Sequence, residues 1–213
     1  HVFERLDDTP AEQLEGEQSI YGKGMWAASL RYHKDTFYVC FASYDTGKTY
    51  IYRTKNINEP WEKRSLDGVY HHPSLLFDED GRIYMGYGFN EVRILELNDT
   101  LTAPKEGGFE RLLVEEKQDA YISYEGAHFY KKDGTYYIFV IQWLKGNLTQ
   151  REQLCLYGDS LDGEFKKEMV FSENLGFPMK GVAQGGIVDT PEGDWYSVMY
   201  QEHGAIGKMP VLV

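Results

Sequence analysis

The chain has 213 residues, 42% hydrophobic and 15% aromatic, with 22 Lys and Arg against 34 Asp and Glu for a net charge of −12. That composition is ample for a packed core, and the acidic balance argues against nucleic acid or an acidic membrane surface as partner, since either polyanion would be repelled. No stretch is long and apolar enough for a transmembrane helix and no signal peptide is visible, which leaves the compartment open between bacterial cytoplasm and periplasm.

Taken in chain order, the sequence predicts short strands over 25–30, 37–42, 49–52, 83–87, 92–97, 136–141, 153–157 and 195–200. It predicts no helix, because apolar residues at i, i+3 and i+4 are never sustained. Four turns of charged residues each run at once into an aromatic or β-branched pair: His33-Lys-Asp-Thr-Phe-Tyr-Val39, Asp78-Glu-Asp-Gly-Arg-Ile-Tyr-Met85, Lys131-Lys-Asp-Gly-Thr-Tyr-Tyr-Ile138 and Pro191-Glu-Gly-Asp-Trp-Tyr-Ser-Val198. The second aromatics, Tyr38, Tyr84, Tyr137 and Tyr196, lie 46, 53 and 59 residues apart. Such a period marks a solenoid or propeller, in which a unit buries its faces only against neighbours. Asp-Gly between apolar runs signals a hairpin, because Gly accepts the positive φ of a tight turn.

A second element recurs. Thr54-Lys-Asn-Ile-Asn-Glu-Pro-Trp61 and Ser160-Leu-Asp-Gly-Glu-Phe165 each follow a strand, turn, and land on an aromatic. Each unit therefore reads as a sheet of about four strands, a propeller blade, with a β-sandwich as the alternative. Cys40 and Cys155 lie 115 positions apart inside predicted strands and read as buried free thiols. The carboxylates Asp78, Glu79 and Asp80 invite a metal reading, but the turn beside Gly81 accounts for them.

One stretch carries chemistry. In Tyr124-Glu-Gly-Ala-His-Phe-Tyr130, Glu125 is read as lying just before a strand, set among aromatic residues that disfavour its ionised form. Such a carboxyl suits a general acid; a solvated loop glutamate is the bland alternative.

Four segments resemble glycoside hydrolase family 43, the five-bladed propellers that include β-xylosidases and α-L-arabinofuranosidases. Tyr21-Gly-Lys-Gly-Met-Trp-Ala-Ala-Ser-Leu-Arg-Tyr-His33 is similar to the family's Gly-x-Trp-Ala-Pro segment, with Ala28 where Pro is usual. His71-His-Pro-Ser-Leu-Leu-Phe-Asp-Glu-Asp-Gly81 resembles the Asp-Pro-Ser-Leu-Phe-x-Asp-x-Asp-Gly segment. The Glu125 segment resembles the Glu-Gly-Pro segment that supplies the general acid. Gln184-Gly-Gly-Ile-Val-Asp-Thr-Pro191 with Gln201-Glu-His-Gly-Ala-Ile-Gly-Lys-Met-Pro210 resembles the last blade of the xylosidase-type members. Together these cover nearly the whole chain in the family's order.

The resemblance implies an all-β, five-bladed propeller with about four blades in this chain, a single catalytic-type domain over 1–213, and an N-terminal blade that precedes His1. A closed ring of five needs roughly 50–100 more residues, so a further segment or a second copy is expected to fill the gap. It also implies inverting hydrolysis of β-1,4-xylosidic or α-L-arabinofuranosidic linkages in xylan-derived oligosaccharides. Glu125 then protonates the leaving oxygen, while the base, expected in the absent blade, maps to no residue here. Asp7 and Asp8 match no motif.

Two positions depart from the family pattern. His72 stands where a carboxylate tunes the acid, and a protonated imidazole would act in the opposite sense. Lys208 replaces an Arg and loses its bidentate fork. Both departures motivate a second reading, a catalytically impaired carbohydrate-binding propeller. Trp26 is a candidate stacking platform for a pyranose or else an inner-strand core aromatic, Trp143 an outer-subsite candidate or a residue that packs between blades, and Gln184 a candidate substrate contact. No cofactor is required; His203 is the candidate ligand for a calcium-like cation near the propeller axis. A protein-interaction propeller is disfavoured, because no Trp-Asp or double-Gly blade signature is present.

Overall fold

The computed structural model describes residues 1–6, 10–14, 17–115, 119–146, 150–176, 181–202 and 208–213. Asp7, Asp8 and His203 lie outside the described residues, as does the side chain of Lys208. All regular structure among the described residues is β-strand, arranged as four antiparallel or meandering sheets in chain order.

The first sheet takes β1 (Ser29–His33), β2 (Thr36–Ser43), β3 (Lys48–Thr54) and β4 (Glu62–Asp67) in that order. The second takes β5 (Ser74–Phe77), β6 (Ile83–Tyr87), β7 (Val92–Leu97) and β8 (Glu110–Val114). The third takes β9 (Ala120–Lys132), β10 (Thr135–Leu144), β11 (Glu152–Gly158) and β12 (Lys166–Phe171). The last has β13 (Val182–Asp189), β14 (Trp195–Glu202) and β15 (Lys208–Leu212).

The four repeated turns are the hairpins that join the first and second strands of each sheet, and the recurring tyrosines all fall on second strands. Lys34 and Asp35 both adopt positive φ, 46° and 58°, as do Asp133 and Gly134, 50° and 84°. That is the two-residue mirror-image turn whose twist matches the flanking strands. The carboxylate run at 78–80 is a turn as well. Asp78 Oδ1 accepts from the Glu79 N–H at 2.6 Å, and Asp80 accepts from the Arg82 N–H at 2.9 Å and its Nε at 2.7 Å.

Two expectations are corrected. The strand predicted over 25–30 begins only at Ser29; residues 25–28 touch the sheet through a lone bridge, Met25 to Ser43, and the Trp26 N–H to Ala42 O bond of 2.9 Å. Glu125 is not ahead of a strand but inside the 13-residue β9. Strands β5, β13 and β15 escaped prediction, as did the edge strands β4, β8 and β12. An edge strand carries charge to discourage further pairing, as in Lys166-Lys-Glu-Met-Val-Phe171, so the apolar alternation is lost there.

The chain divides into two compact units, His1–Met85 with Leu95–Phe109, and Gly86–Ile94 with Glu110–Val213. In the first, Phe41, Tyr50 and Tyr52 form a buried aromatic cluster against Val2, Phe3, Leu6 and Trp61. Phe3 stacks on Tyr52 with centroids 4.9 Å apart, and Lys63 Nζ donates to Leu6 O at 2.8 Å, so the first residues are tied to the sheet. Burying each such ring contributes about 1.5–3 kcal/mol. In the second, Phe129, Ile138, Val140, Leu154, Leu156 and Val182 are fully buried. Cys40 and Cys155 are buried free thiols, as expected, and burial pushes the Cys155 thiol up to about 12.

Glu96 on β7 is buried and organises the loop that follows. It accepts from Lys105 Nζ at 2.6 Å and from the Phe109 N–H at 3.1 Å. Burial pushes its carboxyl up, but these two donors outweigh it and hold the group below the usual glutamate range. A depressed folded value contributes stability that is complete above the unfolded glutamate value and lost as pH falls through the lower folded one. Glu96→Gln is therefore expected to cost about 1.5–3 kcal/mol at neutral pH and to flatten the acid limb of the stability curve. Urea unfolding between pH 3 and 7 measures it; parallel curves for the two proteins would refute the assignment.

Candidate active site

In the first unit, the candidate residues cluster around His71 and His72, both buried. Their rings stack with centroids 4.1 Å apart, and Trp26 lies 5.1 Å from His71 and 5.7 Å from His72. Tyr44 Oη and His71 Nδ1 share a 2.7 Å hydrogen bond that fixes one ring. Trp26 is 38% exposed, so part of its indole stays open for an apolar sugar face.

His72 has a positive φ of 46°, uncommon for a side chain with a Cβ and more so before proline. The backbone just past it is clamped from β1. Ser29 Oγ donates to Pro73 O at 2.8 Å, and Arg31 donates to Ser74 Oγ at 2.6 Å and Leu75 O at 3.1 Å. Strain of this kind persists where surrounding contacts over-determine it, and it clusters at functional sites.

In the second unit, Glu125 is 8% exposed and sits at a break in the β9–β10 ladder. The register steps from His128 opposite Phe139 to Glu125 opposite Ile141, so Gly126 and Ala127 together face Val140 alone. This is a β-bulge, a device that re-aims the adjoining side chain, and its first residue takes the left-handed conformation. Gly126 does so, with φ 74°. The strand just before the bulge is held by Asn90, which sequence reasoning missed. Its Oδ1 accepts from the Ser123 N–H at 3.0 Å and its own N–H donates to Tyr124 O at 2.8 Å. An asparagine in a short turn between two strands, here with φ 60°, was the available signal.

Gln184 occupies a second bulge of the same form. The β13–β14 register steps from Ala183–Tyr200 to Gly186–Val198, so Gln184 and Gly185 face Met199 alone, and Gln184 has φ 62°. Its side chain lies over Gly126, where a Cβ would come within 2.7 Å of Gln184 Cγ. The structure thus brings Glu125, Gly126 and Gln184 together in this unit.

Trp143 on β10 is half-buried and already engaged. The Tyr121 ring is 5.2 Å away and the Arg151 guanidinium sits 5.6 Å from its ring centre. Arg151 in turn pairs with Glu202 at 3.2 Å. Those contacts suit the packing role weighed for Trp143, although Tyr121 is exposed beside it. Lys208 opens β15 opposite Glu202.

The second unit thus holds a buried carboxyl on a bulged strand, and the first a stacked histidine pair beside a partly open tryptophan, side-chain types suited to proton transfer and to packing on a sugar face. The family model for glycosyl hydrolases family 43 matches residues 2–209, and the chain belongs to that family. Its fold is all-β, and its four sheets are blades of the five-bladed propeller that the family resemblance implied. The chain is 25% identical to a protein of Formosa agariphila named beta-xylosidase, over 92% of this chain and 36% of that one. It is 26% identical to a Butyrivibrio fibrisolvens protein named xylosidase/arabinosidase, over 98% of this chain and 42% of that one. A solved Bacteroides eggerthii protein described as a bifunctional GH43-CE superposes on the whole chain with a TM-score of 0.90 at 35% identity, over 27% of its own length. The chain thus spans less than half of each of these relatives.

Proposed function

We propose that the polypeptide carrying this chain hydrolyses β-1,4-xylosidic linkages in xylan-derived oligosaccharides, with α-L-arabinofuranosides as the second substrate class. The observation that carries this reading is Glu125, a buried carboxyl held at a left-handed bulge, in a chain of family 43 with relatives named for xylosidase and arabinosidase activity. Glu125 acts as general acid and delivers its proton to the departing glycosidic oxygen. Inversion requires a base about 6.5–9.5 Å from the acid with a water between them, and the base is assigned to no residue of this chain. Trp26 stacks on the sugar face, and Gln184 beside Glu125 contacts its hydroxyls.

The assay is release of nitrophenol from p-nitrophenyl β-D-xylopyranoside by the full-length polypeptide. Hydrolysis that depends on Glu125 supports the proposal. Binding of xylobiose with no turnover would replace it with the second reading, a carbohydrate-binding propeller, which the departures at His72 and Lys208 favour.

Position 72 gives a separate prediction. The resemblance puts a carboxylate there that holds the acid's proton more tightly, an effect an imidazole cannot copy. His72→Asp is expected to raise turnover by about tenfold, the size of one unit in the acid's proton affinity. An unchanged rate would show that the site has settled around histidine.

A further inference from the structure

The two bulges that carry Glu125 and Gln184 are joined by one side chain, and neither sequence motif nor resemblance singled it out. Gln153 on β11 is completely buried. Its Oε1 accepts from the Gln184 N–H at 2.8 Å, and its Nε2 donates to Val140 O at 3.2 Å. Gln184 is the first residue of the β13 bulge, and Val140 is the residue of β10 that faces the β9 bulge. The Gln184 N–H and the Val140 carbonyl lie at buried positions of the two ladder breaks, where leaving either unpaired would cost about 1–3 kcal/mol. A single buried amide, donor on one end and acceptor on the other, satisfies both.

The two bulges also meet side by side, because Gly126 leaves room for the Gln184 side chain and a Cβ there would stand 2.7 Å from Gln184 Cγ and 3.1 Å from its Nε2. Gln184 holds a left-handed backbone, φ 62°, without being glycine, so that conformation must be imposed from outside. Hydrophobic replacement at position 153 frees Gln184 to relax, and its side chain moves off Gly126, the residue that sets the direction of Glu125.

We propose that Gln153 is a positioning residue for the glycosidase reaction: its amide ties the Gln184 bulge to the Glu125 bulge and thereby aims the general acid. The inference rests on the proposed role of Glu125, and the test separates the two.

A leaving group of low basicity departs without a proton, whereas a basic one needs the acid. Gln153→Met in the full-length polypeptide, assayed on aryl xylosides spanning good and poor leaving groups, is expected to lose about 10–100-fold in kcat/KM on the poor ones, the cost of an angstrom-scale misplacement. Activated substrates should lose less than about threefold by the same argument. Glu125→Gln is the control. If the control lacks this leaving-group dependence, the assignment of Glu125 fails. If the control shows it and Gln153→Met loses equally on all substrates, or on none, Gln153 is structural only and this inference is overturned. Should Gln153→Met fail to fold, Gln153→Glu, which keeps the acceptor for the Gln184 N–H and gives up the donor to Val140, carries the same comparison with the same two outcomes.

Discussion

Glu125→Gln is expected to lower turnover of a poorly activated xyloside by about 10²–10⁴-fold, the usual contribution of a positioned general acid. The amide has the same shape and nearly the same polarity, so the bulge at Gly126 and the clamp from Asn90 should survive unchanged. What is lost is the proton. Substrate binding should stay within about threefold, since uniform contacts such as sugar stacking on Trp26 do not involve the carboxyl. Single-turnover rates together with xylobiose binding by calorimetry separate the two quantities. Equal turnover by the two proteins would remove Glu125 from the chemistry, and loss of binding in step with rate would make it a substrate-holding residue instead.

The second large effect concerns stability and comes from a residue with no chemistry. Gly185→Ala is expected to cost about 2–3 kcal/mol, at the upper end for overpacking an ordered interior. A Cβ at position 185 would overlap the Val198 carbonyl oxygen, with the carbonyl carbon 2.7 Å and Met199 Cα 2.8 Å away. All three are backbone atoms of β14, so no rotamer change relieves the clash; the strands themselves must part at the Gln184 bulge. At Gly126 the obstructing atoms belong to the Gln184 side chain, and the strain of an alanine there comes from the left-handed φ of 74°. Chemical denaturation of the two proteins measures the difference, and a Gly185→Ala loss below about 0.5 kcal/mol, within the ordinary surface range, would show that β13 and β14 do not pack at this bulge as described.

The sequence carried the architecture further than it carried the site. Charged hairpins with a following tyrosine marked all four first-to-second strand turns, because tight turns demand residues that accept a positive φ and strands favour aromatics. Strands β6 and β7 were legible to the residue, since both are bounded by turn signals. Edge strands such as β12 were illegible, since charge on a solvent-facing edge erases the alternation on which strand reading depends. Glu125, Gln184 and Trp26 were proposed from motifs. Asn90 and Gln153 were not, because what they do is satisfy backbone groups on strands distant in sequence, and no spacing encodes that.

By itself, then, the order of residues determined that this chain is all-β, repeated four times, and a member of family 43, with Glu125 singled out as the candidate acid. Only the tertiary structure decided how that glutamate is presented. It lies inside β9 instead of before a strand, because an extra residue there bulges the ladder and Gly126 accepts the left-handed turn. One buried amide from β11 hydrogen-bonds a backbone group at each of the two ladder breaks. Periodicity is a property of neighbours along the chain; satisfying a buried carbonyl is a property of whatever folds against it.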